Sequence, residues 1–93
     1  MELKSIENFR LTDRNKAGGD AIFDYHGQEI KAEFNFYLQS NECLSIRLGR
    51  HDKAVPTSEL EDFIQQNRLE LKKMVKPDVE RVRRERRERL YGA

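Results

Sequence analysis

Cys43 is the only thiol of this 93-residue chain, and His26 and His51 are its only imidazoles. A thiol paired with an imidazole is the minimum for cysteine nucleophilic catalysis, which also needs donors for an oxyanion. No glycine-rich turn or helix start adjoins Cys43, so a free structural thiol is expected there. Cys43, His26, His51 and Asp52 are all metal donors. None recur at helical spacing or as a close cysteine pair, and neither a metal site nor a cofactor is expected. Glu59, Glu61 and Asp62 resemble an acid/base cluster, yet their place at the start of a helix accounts for them through the helix dipole. Gly18-Gly19-Asp20 lacks phosphate-loop spacing and is expected to be a hairpin turn. No residue is assigned a catalytic role, and a non-enzymatic protein is expected.

The segment from Asp78 to Tyr91 holds six arginines and four acids. Glu80 with Arg84, Arg81 with Glu85, Arg84 with Glu88, and Glu85 with Arg89 are each four apart, which solvates one side of a helix. Arg86 and Arg87 have no acid three or four residues away, and Arg83 and Arg87 form a like-charge pair. Val79, Val82, Arg86 and Leu90 fall on a thin stripe edged by Arg83 and Arg87, so guanidinium groups line the docking edge. Guanidinium suits bidentate contact with phosphate or carboxylate. The targets are therefore a nucleic-acid backbone, as in a host ribonucleoprotein, or an acidic protein surface. The expected binding residues are Arg83, Arg86 and Arg87, extended by Arg47, Arg50 and Lys53 if these fold nearby, with Tyr37 available for base stacking.

The elements that position these residues follow from periodicity. From Glu29 to Leu38, Ile30, Ala32, Phe34, Phe36 and Leu38 share one face of a strand, and Lys31, Glu33, Asn35 and Tyr37 share the other. Residues 21–26 alternate as well, and Gly27-Gln28 between the two runs predicts a hairpin pairing Phe23 with Ala32 and Asp24 with Lys31. Residues 43–48 predict a strand with Leu44, Ile46 and Leu48 inward. A Gln39-Ser40-Asn41 loop would pair Phe36 with Leu44 and Glu33 with Arg47. Residues 3–11 predict a first strand with room for a bulge. Ser58 and Glu61 have capping-box spacing, and Leu60, Phe63, Ile64, Leu71, Met74 and Val75 form one helical stripe. Leu69 lies off that stripe, either simply exposed or touching the last segment. Pro77 ends this helix and opens another.

The predicted fold is α+β: a single domain (1–93) with a four-stranded antiparallel sheet (1–56), an amphipathic helix (57–76) and an Arg/Glu-rich helix (77–91). At least one helix covers one sheet face, leaving the other open. The chain is 37% hydrophobic and 38% charged, above the charge load of an ordinary domain, which is about 25%. Eighteen basic against seventeen acidic residues make placement, not net charge, the carrier of any electrostatic function. One cysteine excludes an internal disulfide, and neither a secretory signal nor a membrane-spanning stretch is expected from an N-terminus that carries acid early and from the lack of a long apolar run. The cytoplasm is the expected compartment.

With the strands over residues 21–48, the capped Ser58 helix and the Arg83-Arg84-Glu85-Arg86-Arg87 tail, the chain resembles in plan the anti-CRISPR proteins of bacteriophages. The resemblance implies a phage or bacterial origin and a stoichiometric inhibitor that occupies a nucleic-acid-binding surface or RNA-containing nuclease complex of the host. An interaction module is the competing reading, in which Leu69, Val79, Val82 and Leu90 pack on a partner helix and homodimerisation follows. An enzyme using Cys43 is the third.

Overall fold

The computed structural model describes residues 1–91. Four strands, β1 (Glu2–Asp13), β2 (Lys16–Tyr25), β3 (Gln28–Gln39) and β4 (Glu42–His51), form one antiparallel sheet in chain order. Two helices, α1 (Thr57–Gln66) and α2 (Arg68–Tyr91), follow and pack on one face. This is the α+β architecture that the alternating and helical periods predict; residues 92–93 of the expected domain lie outside the described residues. No helix among them is long and apolar enough to cross a membrane.

Alternation builds the core. Phe23, Ile30, Ala32, Phe34, Phe36 and Leu38 are buried on the helix side, and Leu60, Ile64, Leu71, Val75, Val79 and Val82 meet them. Phe63 packs edge-on against Phe23 with ring centroids 4.9 Å apart, drawing α1 over the sheet. Met74, expected on the same stripe, is exposed.

Turn chemistry corrects the register. The β2–β3 hairpin turns at His26-Gly27, with φ of 51° and 78°, one residue earlier than expected. A two-residue loop with both central residues at positive φ matches the strand twist. Phe23 therefore pairs with Ile30 and Asp24 with Glu29. Moving the loop by one residue slides the pairing by two, so every side chain keeps its face. The last hairpin turns at Ser40-Asn41, and the left-handed residue is Ser40, at φ 54°, not Asn41. A bulge then leaves Leu44 unpaired between the Leu38↔Cys43 and Tyr37↔Ser45 pairs. Leu44 is consequently 52% exposed, while Cys43 turns toward the core. Phe36 pairs with Ile46, and Arg47 with Asn35.

Gly18 and Gly19 form no turn; they lie buried inside β2. A Cβ on Gly19 would stand 2.9 Å from Ile6 Cγ2 and would force that side chain to shift, so glycine suits the place where β1 and Phe36 close over the strand. β1 itself is bulged, with register shifts at three points and Asn8 at φ 53°.

The helix boundary also moves. The chain breaks at Asn67 (φ −115°), whose N–H donates to the Phe63 carbonyl and whose own carbonyl accepts from Leu71 N–H, while α2 runs straight through Pro77. Proline removes one helical hydrogen bond, but Leu71, Val75, Val79 and Val82 lie at four- and three-residue steps on both sides of it and are all buried. Burial along one continuous stripe holds the helix together across the proline. The capping box does not form: Pro56 is the N-cap, Ser58 sits inside the helix, and no side chain caps it. Thr57 Oγ1 instead hydrogen-bonds His51 Nε2 at 3.0 Å.

Candidate functional site

The tips of two hairpins, Arg14-Asn15 and Ser40-Asn41, lie side by side, since Leu38 N–H donates to the Asn15 carbonyl at 2.8 Å. Arg83 reaches this junction from α2. Its Nε donates to the Ser40 carbonyl at 3.0 Å, Nη1 to the Arg14 carbonyl, and Nη2 to Asn15 Oδ1 at 3.4 Å. One planar fork thus ties the helix to both turns, a task suited to guanidinium and not to an ammonium group. Arg83, expected as a first contact for a partner, is committed to the fold. Its pKa is lowered by burial and by the neighbouring charges of Arg86 and Arg14.

Those causes describe a local excess of positive charge. Arg86 and Arg14 each lie close enough to Arg83 to oppose its charge, and Arg87 follows Arg83 by one helical turn. None of the four forms an ion pair among the described residues. The acid at the tip, Asp13, uses Oδ1 to accept the Arg14 backbone N–H at 2.7 Å. Arg86 is half-buried in a groove lined by Phe9, Leu11, Val82 and Leu90 and by the charged Arg81, Glu85 and Arg89, whereas Arg87 is exposed. Arg81, by contrast, is paired with both Asp78 (3.3 Å) and Glu85 (3.4 Å).

The sheet face away from the helices carries Tyr37 and Arg47, as alternation requires. Lys16, paired opposite Tyr37, places Nζ 5.7 Å from its ring centroid, a cation–π contact near the same hairpin tips. Further along this face Arg10 lies across Gly18 and pairs with Glu33 at 3.6 Å, which neutralises it. Arg50 and Lys53 do not extend the arginine cluster. They stand at the far end of β4 and in the loop beyond it, roughly 30 Å along the strand from the Ser40-Asn41 tip. Arg50 adjoins Asp20, Lys31, Glu33 and Asp52, a mixed-charge surface.

Cys43 is far from both histidines. It pairs with Leu38 whereas His51 pairs with Ala32, six residues or about 20 Å along β3, and His26 forms the turn at the His51 end. Burial pushes the thiol pKa up, opposed by the Lys72 charge and the Ser45 backbone, and Sγ donates to the Ser45 carbonyl at 3.4 Å. A protonated, hydrogen-bonded thiol without a base is a poor nucleophile. Among the described residues no three His, Cys, Asp or Glu side chains gather to hold a metal ion.

Sequence reasoning missed Arg14 and Lys16. The only available signal was the Arg14-Asn15-Lys16 triplet inside a turn-rich stretch, which gains meaning once that turn is placed beside Ser40 and Arg83. Comparison of the chain with protein-family models, curated proteins and solved structures finds no match.

Proposed function

We propose that this chain is a non-enzymatic binding protein that engages the nucleic-acid backbone of a host nucleoprotein complex through its arginine-rich end. The observation that carries this reading is the tie of Arg83 to the Arg14-Asn15 and Ser40-Asn41 tips, which leaves Arg14 and Arg86 beside it and Arg87 one helical turn on, none of the four ion-paired among the described residues. Uncompensated guanidinium groups at one end of a small domain create a strong local field for phosphate. Lys16 and Tyr37 on the adjoining open face add one cation and one stacking surface. Backbone contact without sequence reading is the mode this supports. In its finer form the protein is a stoichiometric inhibitor of a CRISPR-type nuclease complex of bacterial or phage setting, covering the surface where that complex holds nucleic acid.

Fluorescence anisotropy with labelled single-stranded RNA across a salt series tests the binding. Affinity is expected to fall steeply with salt. Arg86→Gln with Arg87→Gln should weaken it at least ~10-fold at low salt and flatten the slope by about 1.4. Salt-indifferent binding, or no effect of the double substitution, defeats the backbone reading. The inhibitor reading stands if cleavage by a purified RNA-guided nuclease complex stops at equimolar protein, and falls if every complex tried cleaves undisturbed.

Of the four residues of the competing interaction module, Val79 and Val82 are buried within the chain itself. Leu69 and Leu90 remain exposed, at 68% and 64%.

A further inference from the structure

The strand order leaves two sheet edges, β1 and β4. β1 is interrupted by three register shifts and holds no paired run longer than Ser5, Ile6 and Glu7. β4 keeps an unbroken run over Ser45, Ile46, Arg47 and Leu48 between its two shifts. Its outer side therefore presents the longest regular stretch of unsatisfied strand backbone in the molecule, with exposed Leu44 beside it. The helix-borne charges flanking this edge are segregated, while the strand itself carries Glu42 in its first half and Arg47 in its second. Lys72, Lys73 and Lys76 line a groove with Asn41, Glu42, Cys43 and Leu44 at its first half. Glu61 and Asp62 line another with Ile46, Arg47 and Leu48 at its second half. None of these five flanking charges is ion-paired among the described residues.

We infer that the β4 edge is an interface for a second copy of this chain, paired antiparallel about a two-fold axis normal to the sheet near Ile46. An antiparallel dyad reverses the strand, so the basic half of one chain meets the acidic half of the other, and the same contact occurs twice. Leu44 comes opposite Leu48 of the second copy. Both helix layers stay on one side, and the open faces join into an eight-stranded surface. The segregation of the helix lysines from the helix carboxylates along this edge is what makes it self-complementary. An evenly mixed edge would give no preference for this pairing, and an edge of one sign would repel its copy.

Sedimentation equilibrium on the full chain, from micromolar to about millimolar concentration, tests this, with variants at exposed positions. Dimers are expected in the parent. Lys73→Glu with Lys76→Glu, and separately Glu61→Lys with Asp62→Lys, should each weaken self-association at least ~10-fold. An equimolar mixture of the two variants should restore association, because both contacts are then attractive again. Hydrogen exchange of the parent should slow at residues 45–48 as the dimer forms, a readout that needs no variant. A monomer throughout the range overturns the proposal. So do charge reversals without effect, a mixture that fails to associate, or residues 45–48 that exchange equally fast in monomer and dimer.

Discussion

The two halves of α2 are held to the sheet by different physics. Up to Val82 the helix is docked by area: Leu71, Val75, Val79 and Val82 are all buried, and the stripe is continuous enough to absorb Pro77. Beyond it the inward position passes to Arg83, which replaces apolar contact with three directed hydrogen bonds to the hairpin tips. Among the described side chains after Arg83, Arg86 alone is half-buried, and Leu90 is 64% exposed. Area docking tolerates salt and leaves no charge over. Docking through one arginine replaces apolar contact at the helix end, but it brings Arg14 and Arg86 beside Arg83, with Arg87 one turn on, and none of these forms an ion pair among the described residues. The difference separates the part of the helix that makes the fold from the part available to a partner.

Substitution at the docked half should have the largest effect. Leu71→Ala removes a fully buried side chain and should cost about 2–5 kcal/mol in urea unfolding. A cost below ~1 kcal/mol would mean that burial is not what holds this half. At the boundary, Arg83→Ala should cost about 1–2 kcal/mol and speed amide exchange at Leu38, whose partner Asn15 loses its anchor. Arg83→Lys should recover less than half of that loss, since one ammonium cannot reach three separated oxygens. Arg87→Gln, one turn further on, should change stability by no more than about 0.5 kcal/mol. If Arg87→Gln and Arg83→Ala destabilise alike, the distinction between committed and available arginine collapses.

The smallest effect concerns pH. Cys43 contacts the docked half of α2 near Lys72, and burial raises its thiol pKa above the unfolded value. The folded state then holds the proton longer. Its contribution to stability is complete below the unfolded thiol pKa and is lost as pH rises through the folded one. Tyr25, raised by burial and by Glu59, acts in the same direction at higher pH. The urea midpoint should thus decline on the alkaline side, and Cys43→Ala should remove the earlier part of that decline while leaving the later part. An unchanged profile in Cys43→Ala would show that this thiol is not coupled to folding.

Much of this molecule was decided by local pattern. Period-two alternation over residues 21–38 fixes which side chains face the core, and a register slip by two leaves those faces intact, so Phe34 and Phe36 were assignable although their pairing was not. Helical periodicity likewise identifies Leu60, Ile64, Leu71 and Val75 before any packing is known. Turn positions escaped because a loop is set by backbone dihedrals that several neighbours can adopt: His26 and Ser40 take positive φ where glycine and asparagine were the obvious choices. The glycine pair was misread for the opposite reason, since Gly19 answers a close approach of Ile6 from another strand. At the candidate site, arginine density and the missing acids around Arg86 and Arg87 are properties of the sequence. That Arg83 is consumed by two turns 43 and 68 or more residues away, while Arg14 joins the cluster and Arg50 and Lys53 fall at the far end, is settled only by the folded chain. Those facts depend on which segments meet across the sheet, and no local period encodes that.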